Sequence, residues 1–128
     1  MVWRIAPVLG CDDVHRVAEW FRDTLGFSLA PTSVFRLDPD GPVTYAIVER
    51  DDVGVHLQLS PDGTPRSITD DNAYDAYVQV PRADALHDEF VARGVTVVQP
   101  LEDQPYGMRD FSVESPEGHR LLFGSPRT

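Results

Sequence analysis

The sequence of 128 residues has little of several features that would assign it to a well-marked class of proteins. Its one cysteine, Cys11, cannot form a disulfide within the chain. No run of eighteen apolar residues occurs, and the first residues, MVWRIAPV, lack the basic start and long apolar centre of a secretory signal. The motifs GxSxG, GxGxxG, GxxxxGK and HExxH are all missing. We therefore expect a cytoplasmic protein without a nucleophile elbow, a phosphate-binding loop or a zinc-binding helix.

Basic residues are also scarce, since 11 of them stand against 21 acidic residues and give a formal net charge of -10. The field of such a chain repels nucleic acid and anionic membrane, so we expect neither as a partner. The same field attracts cations, which favours a cationic ligand. Acidity that only keeps the protein soluble explains the charge equally well.

The first half of the chain predicts a strand, a capped helix and a glycine stop. The apolar residues from Ile5 to Leu9 form the strand, and Asp13 can accept a hydrogen bond from the first free amides of the helix. Gly26 can adopt the left-handed conformation that ends a helix. Between these two residues, apolar side chains recur at helical spacing: Val14, Val17, Phe21 and Leu25.

The same order of elements recurs from Ala76 to Val98. An alternating strand, AYVQV, leads through a turn to a helix, which stops at Gly94 before the strand VTVV. The helix is expected to turn Leu86, Phe90 and Val91 inward. Two copies of one module are therefore predicted within a single domain, at 1–62 and 73–128, with a polar linker at 60–72.

Further strands complete each module. Residues 28–38 predict an irregular or edge strand because Pro31 interrupts them, and TYAIVE and VGVHLQL predict a hairpin. In the second module, residues 110–114 and 119–123 predict strands on either side of a turn, after the loop QPYGM. Two helices and about eight strands of mixed order give the α+β class.

The segments DDVHRVAEWFRDTLGF and VESPEGHRLLF, together with the repeated module, resemble the vicinal oxygen chelate superfamily. This superfamily contains glyoxalase I, extradiol dioxygenases, fosfomycin-resistance enzymes and bleomycin-resistance proteins. The resemblance implies two βαβββ modules whose sheets curl around a cleft, often completed by a second subunit. One scaffold in this family carries several chemistries, so the resemblance does not by itself assign an activity.

The metal-dependent members of the family take four ligands from defined strand positions. Carried over by the motifs, these positions fall on Ala6, His56, Asp75 and Leu122. Alanine and leucine cannot bind a metal, and two ligands are fewer than the three protein ligands of a catalytic site. We therefore expect no metal and no cofactor, with His56 and Asp75 as the only weak candidates. Asp75 can equally cap the end of the linker.

Several side chains are expected to face a bound ligand in the family's arrangement. Asp110 and Ser112 share one face of their strand, and Gln58 shares a face with His56. Each has a plain structural alternative, as a solvated or an ordinary buried residue. Tyr106 and Met108 suit the rim of a binding site, or are simply loop residues. The full expected set is His56, Gln58, Asp110, Ser112, Tyr106, Met108, Leu122 and Phe35.

Outside this set, Trp3 is expected to cover a subunit interface, because an amphipathic ring near a chain terminus needs a neighbour to be buried. Packing explains Trp20. Solvent exposure is expected for His15, His87 and His119.

These observations lead to a metal-free binding protein similar to the bleomycin-resistance branch. Such a protein would be a homodimer that sequesters a bulky cationic or aromatic antibiotic or metabolite without breaking bonds. The alternative is a metal-dependent lyase, isomerase or dioxygenase that uses His56 and Asp75. A domain that senses a ligand, or has lost one, is a third possibility.

Overall fold

The computed structural model describes residues 2–60 and 74–127, so the predicted linker at 60–72 lies outside the described residues except for Ser60. The chain divides into two compact units, Met1–Ser67 and Ile68–Thr128. The described part of each unit contains one helix and four strands in the order βαβββ, which confirms the α+β class and the repeated module.

The first unit consists of β1 Val8–Cys11, α1 Val14–Leu25, β2 Val34–Arg36, β3 Val43–Arg50 and β4 Val53–Leu59. Its sheet has the order β1-β4-β3-β2. The β1 and β4 strands run parallel, whereas β3 runs antiparallel to both of its neighbours. The region predicted as a strand over 28–38 is an isolated bridge at Ser28, a short 3-10 turn at Pro31–Ser33 and the edge strand β2.

Helix α1 has the start and the end that its sequence predicts. The Asp13 carboxylate accepts a hydrogen bond of 3.1 Å from the amide of Arg16, and Gly26 ends the helix at φ 70°. The helix packs on β3 and β4 through a continuous apolar stripe. That stripe consists of Val14, Val17, Ala18, Phe21 and Leu25, all of which are buried.

The second unit consists of β5 Ala76–Gln79, α2 Ala83–Ala92, β6 Thr96–Asp103, β7 Met108–Glu114 and β8 Arg120–Pro126. Its sheet has the order β5-β8-β7-β6, which repeats the order of the first sheet. Phe90 of α2 packs against Phe111 and Phe123, with ring centroids 6.0 and 5.1 Å away. These three rings form the centre of the second core.

Helix α2 is more weakly anchored than α1. Arg82 at its N-cap makes no side-chain cap, and the Ser125 hydroxyl of β8 accepts the hydrogen bond of the Ala83 amide instead, at 3.0 Å. Only Ala83 and Phe90 of this helix are buried. The prediction for Val91 is wrong, because Val91 lies one position further around the helix than Phe90 and is 49% exposed.

Two further predictions are corrected by the structure. Ile5 lies before β1 and is 96% exposed, so the first strand begins later than the apolar run. His119 is fully buried, and its Nδ1 lies 2.7 Å from the Ser115 hydroxyl oxygen, which satisfies this ring nitrogen. That oxygen already accepts the amide hydrogens of Glu117 and His119, so its own hydrogen is left to bond Nδ1. His87 is also partly covered, by the ring of Phe111.

Each sheet has one face against its own helix and one face turned away from it, called here the far face. Along β4, Val55 and Leu57 point toward α1, so His56 and Gln58 alternate onto the first far face. Along β7, Phe111 and Val113 point toward α2, so Asp110 and Ser112 alternate onto the second far face. No helix in the described residues is long and apolar enough to cross a membrane.

Candidate functional site

The second far face is organised around the carboxylate of Asp110, which is fully buried. Its Oδ1 accepts a hydrogen bond of 2.8 Å from Gln99 Nε2 of β6. Its Oδ2 accepts two more, from the hydroxyls of Tyr77 at 3.0 Å and Tyr106 at 2.5 Å. Tyr74 extends the network by donating to Gln99 Oε1 at 3.4 Å. These residues, called the Asp110 cluster, are Asp110, Gln99, Tyr74, Tyr77 and Tyr106.

The charge of Asp110 is met by neutral donors. Among the residues that the structure describes, no arginine or histidine forms an ion pair with this carboxylate. Three hydrogen bonds to an ionised carboxylate can stabilise its charge, because bonds to charged groups are stronger than those between neutral groups. The second far face therefore carries a buried carboxylate beneath partly exposed tyrosine rings.

The two tyrosines that bond Asp110 hold their protons tightly. Burial, followed by the hydrogen bond to Asp110 and the charge of Asp110, raises the pKa of Tyr77 to about 12. The same three causes raise the pKa of Tyr106 well above its usual range. Both side chains are nevertheless open to contact, since Tyr77 is 42% and Tyr106 is 59% exposed. They remain protonated donors to Asp110 throughout the neutral range.

Gly124 of β8 makes this arrangement possible. Gly124 lies directly opposite Asp110 in the antiparallel pair of β7 and β8. A Cβ atom at this position would stand 2.8 Å from the Asp110 Cβ and would overlap the Tyr77 hydroxyl. A glycine inside a strand often marks such a close approach. The missing side chain leaves the space through which Tyr77 reaches Asp110.

The other residues expected to contact a ligand on this face differ from one another in burial and in the element that carries them. Ser112 is fully buried, and its hydroxyl accepts the amide hydrogen of Gln99 at 3.0 Å, so it positions Gln99. Leu122 lies opposite Ser112 and is 8% exposed. Met108 is partly buried as the first residue of β7, not part of the preceding loop. Tyr106 lies in that loop, as expected.

The first far face carries a line of aromatic rings. Phe35 of β2 contacts Tyr45 of β3 with ring centroids 6.5 Å apart, and Tyr45 contacts His56 of β4 at 5.5 Å. The Tyr45 hydroxyl also lies 2.6 Å from His56 Nδ1. Gln58 lies opposite Tyr45 and is exposed. Three of the expected residues, Phe35, His56 and Gln58, thus share one surface with Tyr45.

His56 also lines a cavity of about 240 Å³. Ala6 lies in the same wall, as do the charged side chains of Arg4, Glu49 and Asp52. Arg4 and Asp52 pair with each other at 3.3 Å, although both are largely exposed. The cavity is therefore a mixed polar pocket beside the aromatic line.

A larger cavity, of about 480 Å³, lies at the start of α2. Its central cation, Arg109, is held by Asp84 at 2.8 Å and by Asp103 at 3.3 Å. The two carboxylates offset the charge of this arginine, but Arg82 and Arg127 also line the cavity, so its lining has three cationic and two anionic side chains and differs in charge from the Asp110 cluster. We place the candidate site on the second far face for this reason.

The four positions at which the family's metal enzymes carry ligands do not suit a metal here. Ala6 and Leu122 have no donor atoms. His56 Nδ1 is engaged by Tyr45, and Asp75 Oδ2 accepts the amide hydrogen of Arg120 at 2.9 Å. Within residues 2–60 and 74–127, no three histidine, cysteine, aspartate or glutamate side chains are grouped to hold a metal ion. The amide of Asp75 also donates to the Arg120 carbonyl at 2.8 Å, so Asp75 is tied to the start of β8.

Sequence reasoning did not identify five residues of these surfaces, which are Tyr45, Tyr74, Tyr77, Gln99 and Gly124. Tyr45 and Tyr77 lie in strands that were predicted, but their partners depend on how the strands pair. Gly124 gave the clearest available signal, as a lone glycine at the end of an apolar strand. No local pattern marks Gln99.

Comparison with known proteins agrees with this architecture. Residues 4–123 match the family described as the Glyoxalase/Bleomycin resistance protein/Dioxygenase superfamily. A bleomycin-binding protein from bleomycin-producing Streptomyces verticillus, solved with copper(II)-bleomycin, is 30% identical, with a TM-score of 0.69 and coverage of 99% of this chain and 100% of that one. The comparison with proteins of curated function found no match.

Two more distant structures share the fold. TioX from Micromonospora sp. ML1 is 24% identical, with a TM-score of 0.70 over 97% of this chain and 100% of that chain. A glyoxalase-related enzyme from Clostridium phytofermentans is 21% identical, with a TM-score of 0.78 over 99% and 97%. The protein thus has the class of fold in which two βαβββ modules are joined in one chain. It belongs to the Glyoxalase/Bleomycin resistance protein/Dioxygenase superfamily.

Proposed function

We propose that this protein binds and sequesters a bulky cationic small molecule of the bleomycin type, without a metal of its own and without breaking a bond. The observation that carries the proposal is the Asp110 cluster, where a buried carboxylate without an ion pair among the described residues lies beneath exposed tyrosines. Its charge would attract a cation, while the rings of Tyr77 and Tyr106 would contact the cation or a neighbouring flat group.

The composition of each far face, taken by itself, supports a ligand with flat and polar parts. Tyr106, Met108 and Leu122 offer apolar contacts near the Asp110 cluster, and Phe35 does so on the first far face. Gln58 and His56 add polar contacts beside Phe35. Binding sites for drug-sized molecules combine apolar walls with a few placed polar groups, as these surfaces do.

The family relatives add independent support. The Streptomyces verticillus protein, 30% identical to this chain, is a bleomycin-binding protein by its description. The net charge of -10 adds long-range attraction for a cation. We place the protein in the cytoplasm, where sequestration would keep the ligand from its target.

Calorimetric titration with metal-free bleomycin, at about 0.01 M and about 0.15 M salt, tests the proposal. The Debye length falls from about 30 Å to about 8 Å between these conditions, so mere surface attraction would largely vanish. Saturable binding that survives the higher salt supports sequestration in a shaped site. Absence of saturable binding at both concentrations contradicts the proposal.

A pair of variants locates the bound ligand. Tyr106→Ala removes an exposed ring of the Asp110 cluster, and we expect affinity to fall about fivefold, because one ring contact contributes about 1 kcal/mol. Asp40→Asn removes one negative charge from an exposed loop and serves as the control. It should weaken binding slightly at low salt only. Equal losses in the two variants would argue against binding on the second far face.

We also propose that the protein is a homodimer. Three apolar side chains before β1 lie open, with Val2 83%, Trp3 94% and Ile5 96% exposed. Such a cluster commonly marks a protein interface, and a second copy of the chain would cover it. Light scattering should give a dimer mass for the wild type and a monomer mass for Trp3→Ser with Ile5→Ser. Leu37→Ser, which changes an isolated exposed residue, should leave the dimer intact.

A further inference from the structure

The hydrogen-bond arrangement of the Asp110 cluster fixes which way two hydroxyl hydrogens point. Both Tyr77 and Tyr106 bond the same atom, Asp110 Oδ2, and an ionised carboxylate has no hydrogen to give. Each tyrosine must therefore be the donor. Gln99 fixes the other carboxylate oxygen by donating from Nε2. The carboxylate thus takes the only hydrogen that each hydroxyl possesses.

A tyrosine hydroxyl whose hydrogen is committed can only accept further hydrogen bonds. Donation to a carboxylate also makes the oxygen a better acceptor, because bonds in a chain polarise one another. The outward surface of Tyr77 and Tyr106 therefore presents acceptors to a ligand. Asp110 itself is fully buried, so a ligand meets the tyrosines before it meets the carboxylate.

We infer that Asp110 is a positioning residue that holds Tyr77 and Tyr106 as paired hydrogen-bond acceptors, so that this surface selects ligands presenting N–H donors. The inference deepens the proposed function and rests on it for the identity of the site. The proposed function has the ligand attracted by the charge of Asp110. Here the ligand forms hydrogen bonds to the two tyrosine oxygens and not to the carboxylate. The inference also extends the ligand class from cations to neutral groups, such as amides and heteroaromatic N–H groups.

Indole and benzofuran test this inference because they share one flat shape. Indole carries an N–H donor at the position where benzofuran carries an oxygen acceptor. Nuclear magnetic resonance titrations, followed at the signals of Tyr77, Tyr106 and Gln99, would give both dissociation constants. We expect indole to bind about fivefold more tightly, the effect of one hydrogen bond of about 1 kcal/mol. Equal binding, or tighter binding of benzofuran, overturns the inference.

Two variants separate positioning from direct contact. Asp110→Leu has nearly the same shape but frees the hydroxyl hydrogens to point outward, so the preference for indole should disappear. Tyr77→Phe with Tyr106→Phe removes the acceptors but keeps the carboxylate and its negative charge. If a cation touched Asp110 directly, this double variant would bind benzamidinium at least as tightly as the wild type. The inference requires weaker binding of both benzamidinium and indole.

Tyr45→Phe, on the first far face, is the matched control and should keep the preference of the wild type.

The absorbance of tyrosinate supplies a readout that needs no ligand. In Asp110→Leu, two tyrosines should ionise at lower pH than they do in the wild type, because the carboxylate no longer disfavours their anions. Unchanged ionisation would overturn the positioning role. If the wild-type protein does not bind bleomycin but still prefers indole to benzofuran, only the proposed function is refuted.

Discussion

The two far faces share one strand order, yet they place their polar groups on different strands. The register aligns Tyr45, opposite Gln58 in the first sheet, with Asp110, opposite Gly124 in the second. By the same alignment, His56 corresponds to Leu122. The first far face carries polar side chains on β4, whereas the second carries a carboxylate on β7 and a small residue on the adjoining β8.

This difference shows how a repeated module can create two kinds of surface. On the first far face, Gln58 fills the place opposite Tyr45, and the Tyr45 hydroxyl forms a hydrogen bond with His56 Nδ1. On the second, Gly124 leaves space in which Tyr77 crosses to Asp110. One missing side chain lets a charge be buried with three hydrogen bonds. The duplicated fold thus supports one surface with a line of aromatic rings and one with a buried carboxylate.

The largest expected effect comes from filling that space. Gly124→Ala places a methyl group 2.8 Å from the Asp110 Cβ and against the Tyr77 hydroxyl, so Tyr77 must leave the carboxylate. Overpacking together with a lost hydrogen bond to a charge should destabilise the protein by about 3 kcal/mol. Gly54→Ala on β4 is the control, since nothing lies within 4 Å of its added methyl group. Denaturant unfolding that gives equal stabilities for the two variants would disprove the role of Gly124.

A smaller effect is expected from removing one hydroxyl on each far face. Tyr106→Phe takes a donor from a fully buried carboxylate, and we expect a loss of about 1.5 kcal/mol. Tyr45→Phe takes a partner from His56, which is only partly buried, and should cost about 0.5 kcal/mol. Urea unfolding of both variants measures the difference. A larger loss for Tyr45→Phe would contradict the contrast between the buried carboxylate of the second far face and the partly buried His56 of the first.

The starts of α1 and α2 can be compared through two variants, whose effects on stability should be about as large as those of removing a hydroxyl. Asp13→Ala removes the side-chain cap of α1 and should cost about 1 kcal/mol. Arg82→Asn supplies the missing side-chain cap of α2. It should raise the free energy of unfolding by roughly a few tenths of a kcal/mol, because the Ser125 hydroxyl already accepts the hydrogen of one free amide. Thermal unfolding of the two variants should therefore shift in opposite directions. A stabilising effect of Asp13→Ala would refute the capping role.

Much of each module could be predicted because its signals are local. Asp13 and Gly26 lie within a residue of the helix they bound, and the alternation of β7 places Asp110 and Ser112 on one face without knowledge of any partner strand. The same local rule assigned His56 and Gln58 to a shared face. Periods of two and of 3.6 residues depend only on neighbours along the chain.

The partners of these residues could not be predicted in the same way. Tyr77 and Asp110 are 33 positions apart, and they meet only because of the strand register and the absence of a side chain at Gly124. His119 was expected to be exposed because it follows a polar turn. It is buried, and Ser115 of that turn satisfies its ring nitrogen. Long-range pairing and the partner of a buried polar group both depend on the whole fold.

The smallest effect concerns alkaline stability, which should respond to the removal of one hydroxyl from the second far face. The pKa of Tyr77 is raised from 10.0 to about 12 in the folded protein, so between these values the unfolded chain has released a proton that the folded protein retains. Because the folded state then binds more protons, its stability is complete below about pH 10 and falls as the pH rises toward 12. Unfolding measured in urea from pH 9 to 12 should show a shallower decline for Tyr77→Phe than for the wild type. Asp40→Asn, which lies in an exposed loop, should follow the wild-type slope. An identical slope for Tyr77→Phe would mean that the hydroxyl of Tyr77 is not held by Asp110 in solution.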